Sequence, residues 1–220
     1  MDYDFLLSLL TIISIDIILG GDNAIIVALA CRNLPVSLRN RAIVLGITLA
    51  IVLRVILTLT ALHLLEVPFL QAIGGALLLF IAFQLLTQSK EEQAITGETH
   101  LWNAIKTIVI ADLIMGFDNV IGVAGAAHGN TTLVMLGLAI SVPIIIWGSK
   151  LILILFEKFP FIIYLGAGIL ALTATRMISH EPMLSPLFII HPLFKLFFQL
   201  LAIIGVIAIG WSVSQKSSSC

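Results

Sequence analysis

Seven stretches of this chain, roughly residues 5–31, 42–65, 69–88, 103–127, 132–156, 160–179 and 193–213, are long apolar runs with few interruptions. A hydrocarbon core of about 30 Å takes roughly 20 apolar residues per helix, so each run predicts a helix that crosses a bilayer. Lipid offers the backbone no hydrogen-bond partners, and an unbroken run of this length satisfies its own only as a helix. In 220 residues the seven runs leave no room for a soluble domain. The expected fold is an all-α membrane protein with seven transmembrane helices forming a single domain over 1–220. Composition agrees: 10% of residues are charged, against about a quarter in soluble domains.

Lys and Arg set the expected orientation, because cytoplasmic loops carry the positive excess. With the first loop inside, Arg32, Arg39, Arg41, Lys90, Lys106, Lys150, Lys158 and Lys216 fall on the inner side. Only Arg176 and Lys195 fall outside, and Arg54 lies within a span. The N-terminus is therefore expected outside and the C-terminus inside. The MDYD start is acidic where a signal peptide needs basic residues, so the first span reads as retained. A net charge of −1 points to no nucleic-acid partner. Cys31 and Cys220 have no metal-binding spacing. Trp102, Trp147 and Trp211 lie near span ends or lipid-facing surfaces and read as anchors.

Two spans carry the same polar signature. DIILGGDN at 16–23 and DLIMGFDN at 112–119 are identical at five of eight positions. Asp16 aligns with Asp112, Gly20 with Gly116, Asp22 with Asp118 and Asn23 with Asn119, always 96 residues apart. In the same register Arg54 aligns with Lys150. With a shorter connection, 67–85 lies over 159–177, pairing Pro68 with Pro160 and Gly74 with Gly166. The predicted unit is three helices, present twice: repeat 1 over 5–88, a cytoplasmic linker over 89–102, and repeat 2 over 103–180. Helix 7 over 193–213 and a polar, disordered tail over 214–220 follow. Three is odd, so the second copy enters the membrane from the opposite side. Such inverted-topology repeats are typical of secondary transporters, whose sites lie near the midplane between the repeats.

A carboxylate at a helix centre costs roughly 2.5–3.5 kcal/mol on insertion scales, so four cost on the order of 10 kcal/mol unless paired or wetted. Asp112, Met115 and Asn119 share a helix face, and Asp118 falls about 100° away from it. Bringing both carboxylates of a motif to one point predicts a local break at Gly116, and at Gly20–Gly21 in the first copy. The donor set is then Asp16, Asp22, Asn23, Asp112, Asp118 and Asn119. It holds oxygen and no Cys or His, which suits Mg²⁺, Ca²⁺ or Mn²⁺ and not zinc or copper(I). Met115 adds a thioether that would favour Mn²⁺, although its counterpart Leu19 is apolar and packing explains a Met here as well. If Arg54 and Lys150 join the site, four aspartates and two cations leave −2, which one divalent ion or protons would neutralise. Lys150 lies near enough to the inner end to reach the interface instead.

At DIILGGDNAI and DLIMGFDNVI the chain resembles the TerC family of bacterial integral membrane proteins, and its short YjbE-type members in particular, over roughly 5–213. The resemblance implies a multi-pass protein of the bacterial cytoplasmic membrane that handles metal ions, chiefly by manganese efflux. It also implies kinship with small exporters built on inverted three-helix repeats, and it makes the six acidic and amide motif residues the ion ligands. Tellurite, which gives the family its name, is an anion that an acidic site would repel.

The expected function is therefore export of a divalent cation, Mn²⁺ first, by alternating access and with proton coupling as an option. The direction comes from the resemblance alone. The expected partners are the ion and the lipid bilayer, with no prosthetic group, no catalytic residues and the oligomeric state open. Ca²⁺, proton or cationic amino-acid transport, and an adaptor that helps load metal onto secreted proteins, remain alternatives. An intramembrane aspartyl protease would need two carboxylates sharing a proton and a Gly-x-Gly-Asp spacing that is absent.

Overall fold

The computed structural model describes residues 3–19, 21–64, 68–87, 97–127 and 131–217. Among these the side chains at 3, 4, 15, 17–19, 59–64, 97–99, 117–127, 131 and 214–217 lie outside the description. All the described secondary structure is helical. The elements are α1 (Tyr3–Leu19), α2 (Gly21–Cys31), α3 (Val36–Leu64), α4 (Leu70–Thr87) and α5 (Gly97–Ala127), then α6 (Thr131–Lys158), α7 (Ile162–His180), α8 (Ser185–Ile190) and α9 (Pro192–Ser217). Among the described residues five helical stretches are long and apolar enough to cross a membrane: Val36–Thr58, Leu70–Thr87, Thr132–Lys158, Ile162–His180 and Pro192–Val213. Two shorter apolar helices, Phe5–Ser14 and Gly21–Cys31, lie along the first predicted span. The chain is a multi-pass integral membrane protein.

Several helix ends lie beyond the predicted spans, because hydropathy marks where lipid is and not where a helix stops. α3 starts at Val36, directly after Pro35, so Arg39 and Arg41 sit on its first turns and not in a loop. α5 starts at Gly97, inside the predicted linker. α9 continues to Ser217, through part of the tail expected to be disordered. Extending an existing helix by one residue needs no new nucleus. The short α8 was not expected. The predicted break at Gly116 is absent, since α5 is continuous there. A glycine costs a helix interior only about 1 kcal/mol, and Gly116 is buried beside Leu57. Gly20, and most of the linker, lie outside the described residues.

The helices pack reciprocally. α3 lies along α5, α6 lies along α1 and α2, and α4 lies along α7, while α9 covers α7 and α4 from outside. The buried core between them is built from Ile26, Leu29, Ile43, Leu78, Leu85, Ile108 and Leu170. Trp102, Trp147 and Trp211 are all exposed, as lipid-facing anchors would be.

Two features fix α4. Its N-terminal amides meet Glu181, which follows α7 and is only 2% exposed. The Glu181 carboxylate accepts from Phe69 N at 3.0 Å, Gln71 N at 3.0 Å and Ala72 N at 3.3 Å. These are the amides a helix start leaves without intrahelical partners. Along the α4–α7 seam small residues let the backbones touch. A Cβ on Gly75 would stand 2.5 Å from the Ala174 carbonyl oxygen. Gly75→Ala should therefore lower the unfolding midpoint of the detergent-solubilised protein, by an overpacking cost of about 1–3 kcal/mol that outweighs the helix-propensity gain. Gly205→Ala on α9, with nothing within 4 Å of the new methyl, should leave the midpoint unchanged or raise it.

Candidate functional site

The packing of α1, α2, α3 and α5 brings a small group of polar side chains together inside an apolar wall. Asp16 comes from α1, Asn23 from α2, Arg54 from α3, and Asp112 and Met115 from α5. Asp16 is 0% exposed, Arg54 3%, Asn23 4% and Asp112 8%. Arg54 Nη1 donates to Asp16 Oδ1 at 2.6 Å, and Arg54 Nη2 donates to Asp112 Oδ1. One guanidinium fork thus bridges two carboxylates from different helices, a geometry that a lysine ammonium cannot reproduce.

The group is not fully satisfied. Asp16 Oδ2, Asp112 Oδ2, both amide atoms of Asn23 and Arg54 Nε have no hydrogen-bond partner among the described residues. These atoms belong to residues lining one cavity of about 20 Å³, whose other walls include Ile26, Ile47, Ile51, Ile108, Ile145 and Met115. Buried polar groups are almost always paired, and a space of this size holds a water molecule or a small ion. With both carboxylates ionised the cluster carries one net negative charge. In an apolar surround that charge acts far more strongly than in water. The chemistry on offer is a small cation site of two carboxylate oxygens and one amide oxygen, with a thioether beside them.

The site differs from the predicted one in its membership. Asp16, Asn23, Asp112, Met115 and Arg54 come together as expected. Asp22 does not join them: its Oδ2 accepts from Thr173 Oγ1 of α7, a partner that no pattern in the sequence singles out. Lys150 is exposed on α6 and makes no part of the cluster; its long stem lets the ammonium reach the interface. The side chains of Asp118 and Asn119 lie outside the described residues. α1 ends at Leu19 and α2 begins at Gly21, so two elements meet where the first motif predicts a break, with Gly20 outside the described residues, whereas Gly116 lies within the continuous α5. No group of three or more His, Cys, Asp or Glu side chains that could hold a metal by itself occurs among the described residues. Asn23 lines the same cavity as the two carboxylates.

The model of the integral membrane protein TerC family matches residues 1–218. The chain is 53% identical over 185 residues to the uncharacterized membrane protein YjbE of Bacillus subtilis, covering 84% of this chain and 85% of that protein. It is 26% identical over 191 residues to the UPF0053 protein YegH of Escherichia coli and 25% identical over 199 residues to the UPF0053 inner membrane protein YoaE of the same species. Those matches cover 78% and 81% of this chain but only 36% and 38% of the two relatives. No solved structure matches the chain. From residue 1 to residue 218, the two aspartate-bearing motifs included, the chain belongs to the TerC family of integral membrane proteins.

Proposed function

We propose that the protein is a secondary transporter that exports a divalent metal cation, Mn²⁺ before others, across the bacterial cytoplasmic membrane. The observation that carries this is the buried cavity, where two carboxylate oxygens and the Asn23 amide stand unpartnered within an apolar wall. In this scheme Asp16, Asn23 and Asp112 are the ion's ligands, with Met115 beside them to favour Mn²⁺ over Mg²⁺ or Ca²⁺. Asp118 and Asn119 remain assigned to the ion by the family resemblance, and so does the outward direction. Asp22 is held by Thr173 and contributes less. The protein is a carrier, not an enzyme, and holds no prosthetic group.

Movement is by alternating access between two inverted three-helix units, 5–88 and 103–180, with a seventh helix beside them, the N-terminus outside and the C-terminus inside. The doubled motif supports this. So does the reciprocal packing, in which the second helix of each unit lies along the first helix of the other.

Purified protein in liposomes should take up Mn²⁺ well above protein-free vesicles, and a pH gradient should change the rate if protons are exchanged for metal. Asp118→Asn should lower that flux. Vesicles that stay silent to Mn²⁺, Ca²⁺ and other divalent ions alike would overturn transport and favour an adaptor.

A further inference from the structure

We propose that Arg54 is a tethered counter-cation: its guanidinium occupies the carboxylates while the carrier is empty and gives way when a divalent ion binds. This rests on the transport reading above and deepens it by assigning what the empty site does.

Three observations support it. First, the guanidinium bonds one oxygen of Asp16 and one of Asp112 and leaves the second oxygen of each unpartnered. It therefore sits where a shared cation would sit. Second, the remaining space is about 20 Å³, enough for one water or one bare ion but not for an ion with any hydration shell beside an undisplaced Arg54. Third, the charges favour exchange over addition. Two carboxylates and Arg54 sum to −1, and two carboxylates and a divalent ion sum to zero. All three together give +1, with metal and guanidinium repelling each other at close range in an apolar surround. The side chain that must leave is long, and its Nε makes no hydrogen bond, so the carboxylates are its main hold.

The consequence is kinetic. An empty site without Arg54 would expose two bare carboxylates to the apolar barrier each time the carrier reorients. With Arg54 in place the empty carrier can return, which net transport requires. The loaded carrier does not need it. Exchange of metal for metal, in which the site is never empty, should then be insensitive to the arginine, while net flux should depend on it.

The test uses the full-length protein. Equilibrium Mn²⁺ binding is measured in detergent, and net Mn²⁺ uptake and Mn²⁺/Mn²⁺ exchange with a radioactive tracer are measured in liposomes, for wild type, Arg54→Gln and Arg54→Lys. For Arg54→Gln the expectation is a Kd at least tenfold lower, continued exchange and at least a tenfold loss of net uptake. Arg54→Lys keeps a cation but loses the fork, and should bind Mn²⁺ more tightly than wild type while restoring most net uptake. Net uptake by Arg54→Gln at the wild-type rate would overturn the tether and leave transport standing. Equal loss of exchange and net uptake in a folded variant would make Arg54 a merely structural residue. Should Arg54→Gln fail to fold, Arg54→Lys with a wild-type Kd would overturn the tether by itself. A wild type that neither binds nor moves Mn²⁺ would overturn both proposals.

Discussion

Asp112→Asn should reduce Mn²⁺ transport at least 100-fold and weaken Mn²⁺ binding to a similar degree, with little loss of folded protein. Asparagine has the same shape and keeps an oxygen that can accept from Arg54 Nη2, so the bridge survives in outline. The charge does not: a divalent ion that takes the place of Arg54 would then meet one carboxylate where the wild type offers two. At an effective dielectric of ~20 and ~4 Å, a divalent ion and one carboxylate attract by about 8 kcal/mol. Every 1.4 kcal/mol is about tenfold in affinity, so even half of that attraction exceeds 100-fold. Asp16→Asn should behave in the same way. Asp22→Asn should cost less than about tenfold, because Asp22 faces Thr173 and not the cavity and the lost 1.4 kcal/mol or so of one hydrogen bond sets the scale. Initial uptake rates in liposomes for the three variants check the ranking, and a larger loss for Asp22→Asn than for Asp112→Asn would show that the wrong carboxylates have been paired.

Glu181→Ala should be the most destabilising single change outside the ion site, by about 3–5 kcal/mol. Three backbone N–H groups at the start of α4 lose their acceptor at once, in a place where the side chain is 2% exposed. An orphaned buried donor costs about 1–3 kcal/mol, and bonds to a charged acceptor lie toward the upper end. The carboxylate also lies at the positive end of the α4 dipole. Phe69, one of the three donors, has φ of 61°, a left-handed conformation that costs a residue with a side chain roughly 1–2 kcal/mol and that the bond to Glu181 helps to hold. Glu181→Gln retains one acceptor oxygen and should lose about half as much. Unfolding midpoints in detergent measure both. Because Glu181 does not line the cavity, Mn²⁺ affinity per folded molecule should not change, which separates this effect from that of Asp112→Asn.

Five of the predicted spans, those near 42–65, 69–88, 132–156, 160–179 and 193–213, were legible in the sequence because bilayer thickness sets how long an apolar run must be. The ends of α3, α5 and α9 were not, since helix propagation continues where lipid stops. The pairing of Asp16 with Asp112 and the mid-span cation Arg54 were legible from the 96-residue offset, which no requirement of apolar packing explains. The misreading concerned the backbone at Gly116. Asp112 and Asp118 fall on different faces of an ideal helix, and the sequence suggested bending the helix at Gly116 to reconcile them. The fold leaves α5 helical through that point and sets Asp112 across from Asp16 of α1 on the Arg54 fork, as the doubled motif implies. The Thr173–Asp22 and Glu181–α4 bonds were hidden for a different reason. Each joins residues more than 100 positions apart, through a hydroxyl or a backbone amide that every sequence contains in abundance.

The bridge at Arg54 also bears on how the chain is made. Helices enter the bilayer in the order of synthesis, so Asp16 arrives before α3 and well before α5. Until then its carboxylate has no partner, at roughly 2.5–3.5 kcal/mol on insertion scales. The arrival of α3 supplies the guanidinium, and its Nη2 meets Asp112 once α5 follows. A nascent chain truncated before Arg54 therefore carries Asp16 without its guanidinium partner, and one truncated after it carries the Asp16–Arg54 pair. Ion pairing within the bilayer thus offsets part of the cost of Asp16 once α3 is in place, before the packing of α4 on α7 or of α6 on α1 can begin.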